Sequence, residues 1–521
     1  MGQGAVSMNI PRKSIAYNSF FSLVDKGYTA LSNVALIPFI IHFLGLDVYG
    51  IWVILSVVSS YFHLANCGIN FSYEKFIAQF NATRDDLSLK RFIVTAFYAS
   101  AALGVGILLV SQLFRQFVFH FLLKNDMLGQ YSTIFFLLVL SSSCSLVITI
   151  LMAIPRGLQR YDFSSIISIG ARTFYIIAVV VLGLRGFGLI ALIIAQYIFI
   201  FVTLVLSLLF ALRYMGSISL NPRFFSWSTL TMMLVFGIKM QVSILAVLIT
   251  QSFDKLLIAR FLGVRLVALY DIASRLIVFL KDVPSFLFAS ITPRTSELDS
   301  LQNRDSLQRL YLVGTKYLSI LCLGIIPLLL PVADEILTVW MRRAADPVSV
   351  YIFQVLLFST MLNASTGLGS SIGVGIGKPG ILAYSNIVMA VVNIVGSTLF
   401  FFVFGLKGIV WGTASGLFVS TFLCFLLLNR AMNVSSQRFT VTVPLMPFIV
   451  NAGAAFVLVK LYGIGASMHP SFFSGGNSDY WIIAVNTVLL LAISAAVYAA
   501  TKFITYDEIR EFIPFSKQDS T

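Results

Sequence analysis

Apolar stretches about 20 residues long, divided by short polar segments, recur along this chain from Asn18 to Tyr506. A helix of that length rises about 30 Å, the thickness of a bilayer's hydrocarbon core. The pattern predicts spans near 18–42, 48–70, 92–113, 131–153, 164–184, 188–212, 231–258, 266–292, 310–331, 350–374, 380–404, 406–429, 441–463 and 480–503. Composition agrees, with 58% hydrophobic and 11% charged residues, against about 25% charged in a soluble domain. The fold class is therefore an all-α, polytopic transmembrane bundle of about fourteen helices. Arg12 and Lys13 precede a stretch, Phe20 to Ile41, too long for a signal-peptide core, so the first span is expected to stay.

Alternating the loops from an inside N-terminus places 19 Lys and Arg inside and 8 outside. That asymmetry predicts both termini in the cytoplasm; the membrane is expected to be a bacterial inner (plasma) membrane. The asymmetry also accounts for the net charge of +14. The basic residues are spread over loops, with no domain to read nucleic acid. The longest outer loop runs only from Gly463 to Asp479, which leaves no room for an extramembrane catalytic domain.

Several motifs are decoys. Gly377-Lys378 lacks the rest of a phosphate loop, since Ile372 and Pro379 stand where Gly and Ser or Thr are needed. Cys67, Cys144, Cys322 and Cys424 lie in apolar segments without Cys-x-x-Cys spacing, and His42, His63, His120 and His469 are scattered. No metal and no cofactor are expected. With no ATPase motif, energy must come from an ion gradient, the substrate gradient or another chain.

The chain is internally repeated. Phe43-Leu44-Gly45 returns as Phe261-Leu262-Gly263, and Gly183-Leu184-Arg185-Gly186 returns as Gly405-Leu406-Lys407-Gly408. Gly157-Leu158-Gln159-Arg160 sits where Gly377-Lys378-Pro379-Gly380 sits in the second half. Six helices separate the copies, so both have one orientation, as parallel repeats around a central cavity. The expected organisation is a cytoplasmic tail (1–17), an N-lobe of six helices (18–212), a C-lobe of six (231–429), two extra helices (441–503) and a cytoplasmic tail (504–521).

Further short motifs carry a resemblance. The first half reads Phe43-Leu44-Gly45, Tyr49-Gly50-Ile51-Trp52, Tyr61, Cys67-Gly68-Ile69 and Phe76-Ile77-Ala78. The second reads Asp254-Lys255, Phe261-Leu262-Gly263, Tyr270, Pro293 and Ser296-Glu297-Leu298. Over roughly 18–430 this resembles the polysaccharide-transporter branch of the multidrug/oligosaccharidyl-lipid/polysaccharide exporter superfamily, which includes O-antigen flippases. The resemblance implies two six-helix lobes and export of an undecaprenyl-diphosphate-linked oligosaccharide to the outer leaflet by alternating access. It implies service to O-antigen, capsule or exopolysaccharide assembly, with glycan polymerase and export machinery as partners beside the lipid-linked substrate and membrane lipids. A multidrug or other lipid exporter of the same superfamily is the alternative. A membrane-embedded polymerase or glycosyltransferase would need a larger outer loop.

Ionisable groups at membrane depth are costly, about 2.5–3.5 kcal/mol each on insertion scales, and usually face a cavity or a partner. Lys26 and Lys239 lie in the first helix of each repeat, about eight residues from its inner end, in pseudo-equivalent places. With Arg275 they are expected to form a cationic surface for a lipid diphosphate or acidic sugars; snorkelling to headgroups is the bland reading. Asp25, next to Lys26 and unable to pair with it on one face, is a candidate ion-coupling site. Asp254 and Asp271 are candidates for coupling or gating. Asp271 and Arg275 have the spacing of a same-face pair, while Arg172 and Lys281 are expected to meet headgroups.

Overall fold

The computed structural model describes residues 15–63, 66, 68–123, 127–215, 220–287, 291–453 and 497–498. Seventeen α-helices form, and no strand is present among the described residues. In the first repeat these are α1 (Ile15–Leu44), α2 (Leu46–His63), α3 (Asn70–Ala82), α4 (Asp86–Leu122), α5 (Met127–Gly157), α6 (Tyr161–Leu184) and α7 (Leu189–Met215). The second repeat comprises α8 (Trp227–Phe261), α9 (Val264–Leu287), α10 (Ile291–Ser300), α11 (Arg304–Leu329), α12 (Ala333–Met341), α13 (Pro347–Ala364), α14 (Gly367–Gly375), α15 (Gly380–Phe404) and α16 (Leu406–Met432). A short α17 (Ser436–Thr440) follows.

Each of the first twelve expected spans falls on helix. Among the described residues, nine helical segments are long and apolar enough to cross a bilayer. The 35-residue α8 and 24-residue α9 have the length, but carry Lys239, Asp254, Lys255 and Arg260, and Arg265, Asp271, Arg275, Lys281 and Asp282. The thirteenth span is described only through Gly453, and the fourteenth lies outside the described residues apart from 497 and 498. The tails 1–14 and 504–521 also lie outside them.

Two spans differ from expectation. The second stops at His63 rather than 70; Gly68, at φ +69°, turns the chain, and the Asn66 side chain accepts its N–H at 2.8 Å. The tenth breaks into α13 and α14. Ser365 Oγ donates to the Leu362 carbonyl at 2.6 Å and Thr366 Oγ1 to that of Asn363 at 2.8 Å. These hydroxyls bond backbone carbonyls that a continuous helix would use. The break precedes the Gly373–Gly377 stretch. There Gly373 is helical, and Gly377, at φ +73°, makes the turn into α15. The short helices α3, α10 and α12 are too brief to register as spans.

The repeat is written into the backbone at a constant offset of 218 residues. Left-handed residues recur as Gly45 and Gly263 (φ +77° and +97°), Arg84 and Gln302 (φ 55° and 53°), and Gln159 and Gly377 (φ 58° and 73°). Caps recur too: Asp85 accepts the Ser88 N–H at 3.0 Å to start α4, and Asn303 accepts the Ser306 N–H at 3.1 Å to start α11. An N-cap oxygen satisfies one of the amides that a helix's first turn leaves free. The N–H of Ser88 also holds the exposed Asp85 carboxyl below its usual range. This cap is therefore fully formed above the ordinary carboxylate range and is lost as acidification protonates Asp85.

By packing, the chain divides into one compact unit ending at Asp271 and another beginning at Ile272. In the first, Tyr73, Phe76 and Ile77 of α3 pack with Phe92 and Ala96 of α4, Ile150 and Ile154 of α5, and Met233 of α8. Although α8 opens the second repeat in sequence, it packs with the first. In the second unit Tyr311, Leu318 and Cys322 of α11 meet Leu368 and Ile372 of α14 and Phe425 and Leu428 of α16. The tightest helix pair there is α15 on α16. A Cβ added at Gly408 or Gly412 would overlap the backbone of Phe400 or Ser397, and one at Gly416 would come within 2.9 Å of the Met389 carbonyl. Glycines every fourth residue let two helices touch backbone to backbone.

Candidate functional site

Three charged residues and three tyrosines meet where α2 packs on the α8–α9 hairpin. Lys255 and Asp271 each stand eight residues from the turn glycine, Gly263, so folding the hairpin brings them side by side. The Lys255 ammonium donates to Asp271 Oδ1 at 2.6 Å, and the Tyr49 hydroxyl of α2 donates to Asp271 Oδ2 at 2.6 Å. Tyr270 donates to Asp254 Oδ2 at 2.5 Å, and Tyr61 of α2 hydrogen-bonds Ser252. Asp271 and Asp254 are 0% and 1% exposed, so these partners replace water that neither carboxylate can reach. Close approach is enforced by Gly50, where any Cβ would overlap the Val264 carbonyl.

Asp254 and Asp271 thus lie in one cluster. The i, i+4 spacing directed attention to Arg275, which is exposed one turn further on; it gave no sign of Lys255 and Tyr49, which hold both Asp271 oxygens. The mirrored spacing of 255 and 271 about Gly263 was the available signal.

Asp25 lies elsewhere, on the α1 face that meets α6. Ser165 of α6 donates to the Phe21 carbonyl at 2.9 Å, and the hydroxyls of Tyr28 and Thr173 pair at 2.8 Å. Between these contacts, Asp25 Oδ1 is buried and has no hydrogen-bond partner among the described residues. Two turns away, the buried Asn18 Oδ1 is likewise unpartnered among them. Unsatisfied buried oxygens are rare, because each forgoes its hydration.

Lys26 is exposed. The side chain of Lys239 lies outside the described residues. The repeat register corrects the expected equivalence of these lysines: Lys26 precedes Gly45 by 19 residues, whereas Lys239 precedes Gly263 by 24. The two therefore differ by five residues, about 7.5 Å along the helix. Arg172 and Lys281, expected to meet headgroups, each have an asparagine partner. Arg172 donates to Asn33 Oδ1 at 2.8 Å, and the partly buried Lys281 lies 3.4 Å from Asn363 Oδ1. Among the described residues no group of three or more His, Cys, Asp or Glu could hold a metal.

The family model of polysaccharide biosynthesis proteins matches residues 42–343, more than half of the chain. The chain belongs to that family. The matched region holds the tyrosine–carboxylate cluster and all of α3 to α11. No curated protein sequence matches this family member. Among solved structures, the lipid II flippase MurJ in an inward closed conformation covers 93% of this chain and 99% of its own at 12% identity, with a TM-score of 0.65. An inward-facing multidrug resistance MATE family transporter of the MOP superfamily covers 82% and 97% at 17% identity, with a TM-score of 0.63. An outward-facing MATE transporter of that superfamily covers 83% and 98% at 19% identity, with a TM-score of 0.57. This member of the polysaccharide biosynthesis family is a multi-pass membrane protein with the MATE and MurJ fold.

Proposed function

We propose that this chain is a flippase that carries undecaprenyl-diphosphate-linked oligosaccharide repeat units from the cytoplasmic to the outer leaflet of a bacterial inner membrane. The observation that carries the reading is the polysaccharide-biosynthesis match across residues 42–343 of a chain whose described residues include nine helices long and apolar enough to cross a bilayer. A membrane protein serving glycan assembly, with its mass inside the bilayer, is suited to moving a lipid-bound intermediate. The likeness to a lipid II flippase supports the same choice, because lipid II is named there as cargo.

Within this reading the repeats 18–212 and 231–429 are the moving lobes, both termini are cytoplasmic, and glycan polymerase and export machinery receive the product. Lys26, Lys239 and Arg275 are the cationic groups offered to the diphosphate, which mobile ammonium charges suit. The five-residue stagger of the lysines spaces them along the path rather than at one depth. Asp25 is the ion-coupling group: its unpartnered buried oxygen, with that of Asn18, gives a proton or small cation a place to bind. The MATE likeness supports a second reading, export of drug cations.

Binding by the purified protein separates the two readings. A fluorescent undecaprenyl-diphosphate oligosaccharide is expected to bind, and the Lys26→Gln/Lys239→Gln variant to bind at least tenfold more weakly, about 1.4 kcal/mol. Unchanged binding in that variant would remove the lysines from the site. Binding of drug cations without binding of the lipid would favour the multidrug reading.

A further inference from the structure

The cluster between α2 and the α8–α9 hairpin has an asymmetry in its charges. Lys255 and Asp271 both belong to the hairpin and neutralise each other at 2.6 Å. From α2 come uncharged groups: the Tyr49 hydroxyl on Asp271, the Tyr61 hydroxyl on Ser252, and the Gly50 backbone against Val264. If α2 withdraws, the carboxylate keeps its ammonium and no bare ion is left in the low-dielectric interior. Had α2 supplied the lysine, separation would strand two unpaired charges, which is prohibitive. A contact that is strong when made and yet breaks without exposing an ion is reversible.

We propose that this cluster is a latch: α2 is held on the α8–α9 hairpin through the Tyr49–Asp271 bond and released during the transport cycle. Lys255 serves as the hairpin's internal counter-ion, which keeps Asp271 ionised and a strong acceptor. Tyr270 does the same neutral service for Asp254, so the second buried carboxylate stays satisfied whichever way α2 moves. The latch lies near the turns at Gly45 and Gly263, which the proposed orientation places on the outer side. It stands on helix contacts and does not depend on the identity of the cargo.

Tyr49→Phe removes the α2 bond and leaves the ion pair whole. Ala268 is fully buried and lies one turn from both Val264 and Asp271 on the same face of α9, so an Ala268→Cys thiol reports whether α2 covers that face. In proteoliposomes, with the four native cysteines replaced by alanine, an impermeant maleimide is applied on the side of the Gly45 and Gly263 turns. Tyr49→Phe is expected to speed labelling of Ala268→Cys about tenfold, the weight of one charge-assisted hydrogen bond. A control thiol at the buried Ala191, at the outer end of α7, is expected to be unaffected. Hydrogen exchange in the chain with its native cysteines gives an independent reading, with faster exchange in Leu46–Leu55 expected. An unchanged Ala268→Cys rate and unchanged exchange in folded Tyr49→Phe would overturn the latch. So would an equal rise at Ala191→Cys, because that marks general loosening.

Discussion

Leucine in place of Gly412 is expected to prevent α15 from closing on α16 and to remove most of the folded protein. The obstructing atoms are the backbone and hydroxyl of Ser397, and a backbone cannot rotate aside as a side chain can. Gly408 and Gly416 keep the helices together on either side, so the pair cannot splay at one point. Overpacking costs about 1–3 kcal/mol where neighbours yield; at Gly412 the upper end of that range or more is expected. Phe418→Leu, on the exposed face of the same helix, is the control and should stay within about 0.5 kcal/mol. Denaturant titration in micelles measures both. Equal stability of the two variants would mean that the α15–α16 contact is looser than described.

The second large effect is at Lys255. Replacing it with Met takes from Asp271, which is 0% exposed, the ammonium that lies 2.6 Å from its Oδ1. Removing one partner of a buried pair costs about 3–5 kcal/mol, because the remaining charge is stranded. The double variant Lys255→Met/Asp271→Asn should recover most of that loss, since a neutral amide needs no counter-ion and can still accept from Tyr49. A double-mutant cycle read by unfolding in micelles checks this. Additive losses would show that the two side chains do not act as a pair.

Much of the fold was legible because bilayer length imposes itself on sequence. Twelve expected spans lie on helices, and Phe43-Leu44-Gly45 with Phe261-Leu262-Gly263 marked a register that Gly45 and Gly263 then wrote into backbone angles. What went unread was local chemistry inside that register. Asp85 and Ser88 repeat as Asn303 and Ser306, a pair of caps hidden by the exchange of Asp for Asn. The α13–α14 break depends on two hydroxyls, Ser365 and Thr366, in a stretch that hydropathy averages away.

The candidate site was legible in part. Asp254 and Asp271 stood out as charges in apolar surroundings, but their partners follow from tertiary packing. Lys255 meets Asp271 because a hairpin folds at Gly263, and Tyr49 reaches it from another helix more than 200 residues away in sequence. Spacing along one helix therefore carried no sign of these two partners. Lys26 and Lys239 were matched by distance from helix starts, which fray and vary, whereas the turn glycines give the truer register.

The central claim is translocation of a lipid-linked oligosaccharide. The most direct measurement is reconstitution into liposomes carrying a fluorescent undecaprenyl-diphosphate oligosaccharide, following its change of leaflet with and without a pH gradient. The account predicts protein-dependent flipping that responds to the gradient and weakens in Lys26→Gln/Lys239→Gln and in Asp25→Asn. No flipping under any gradient, with labelled drug cations moving instead, would contradict it.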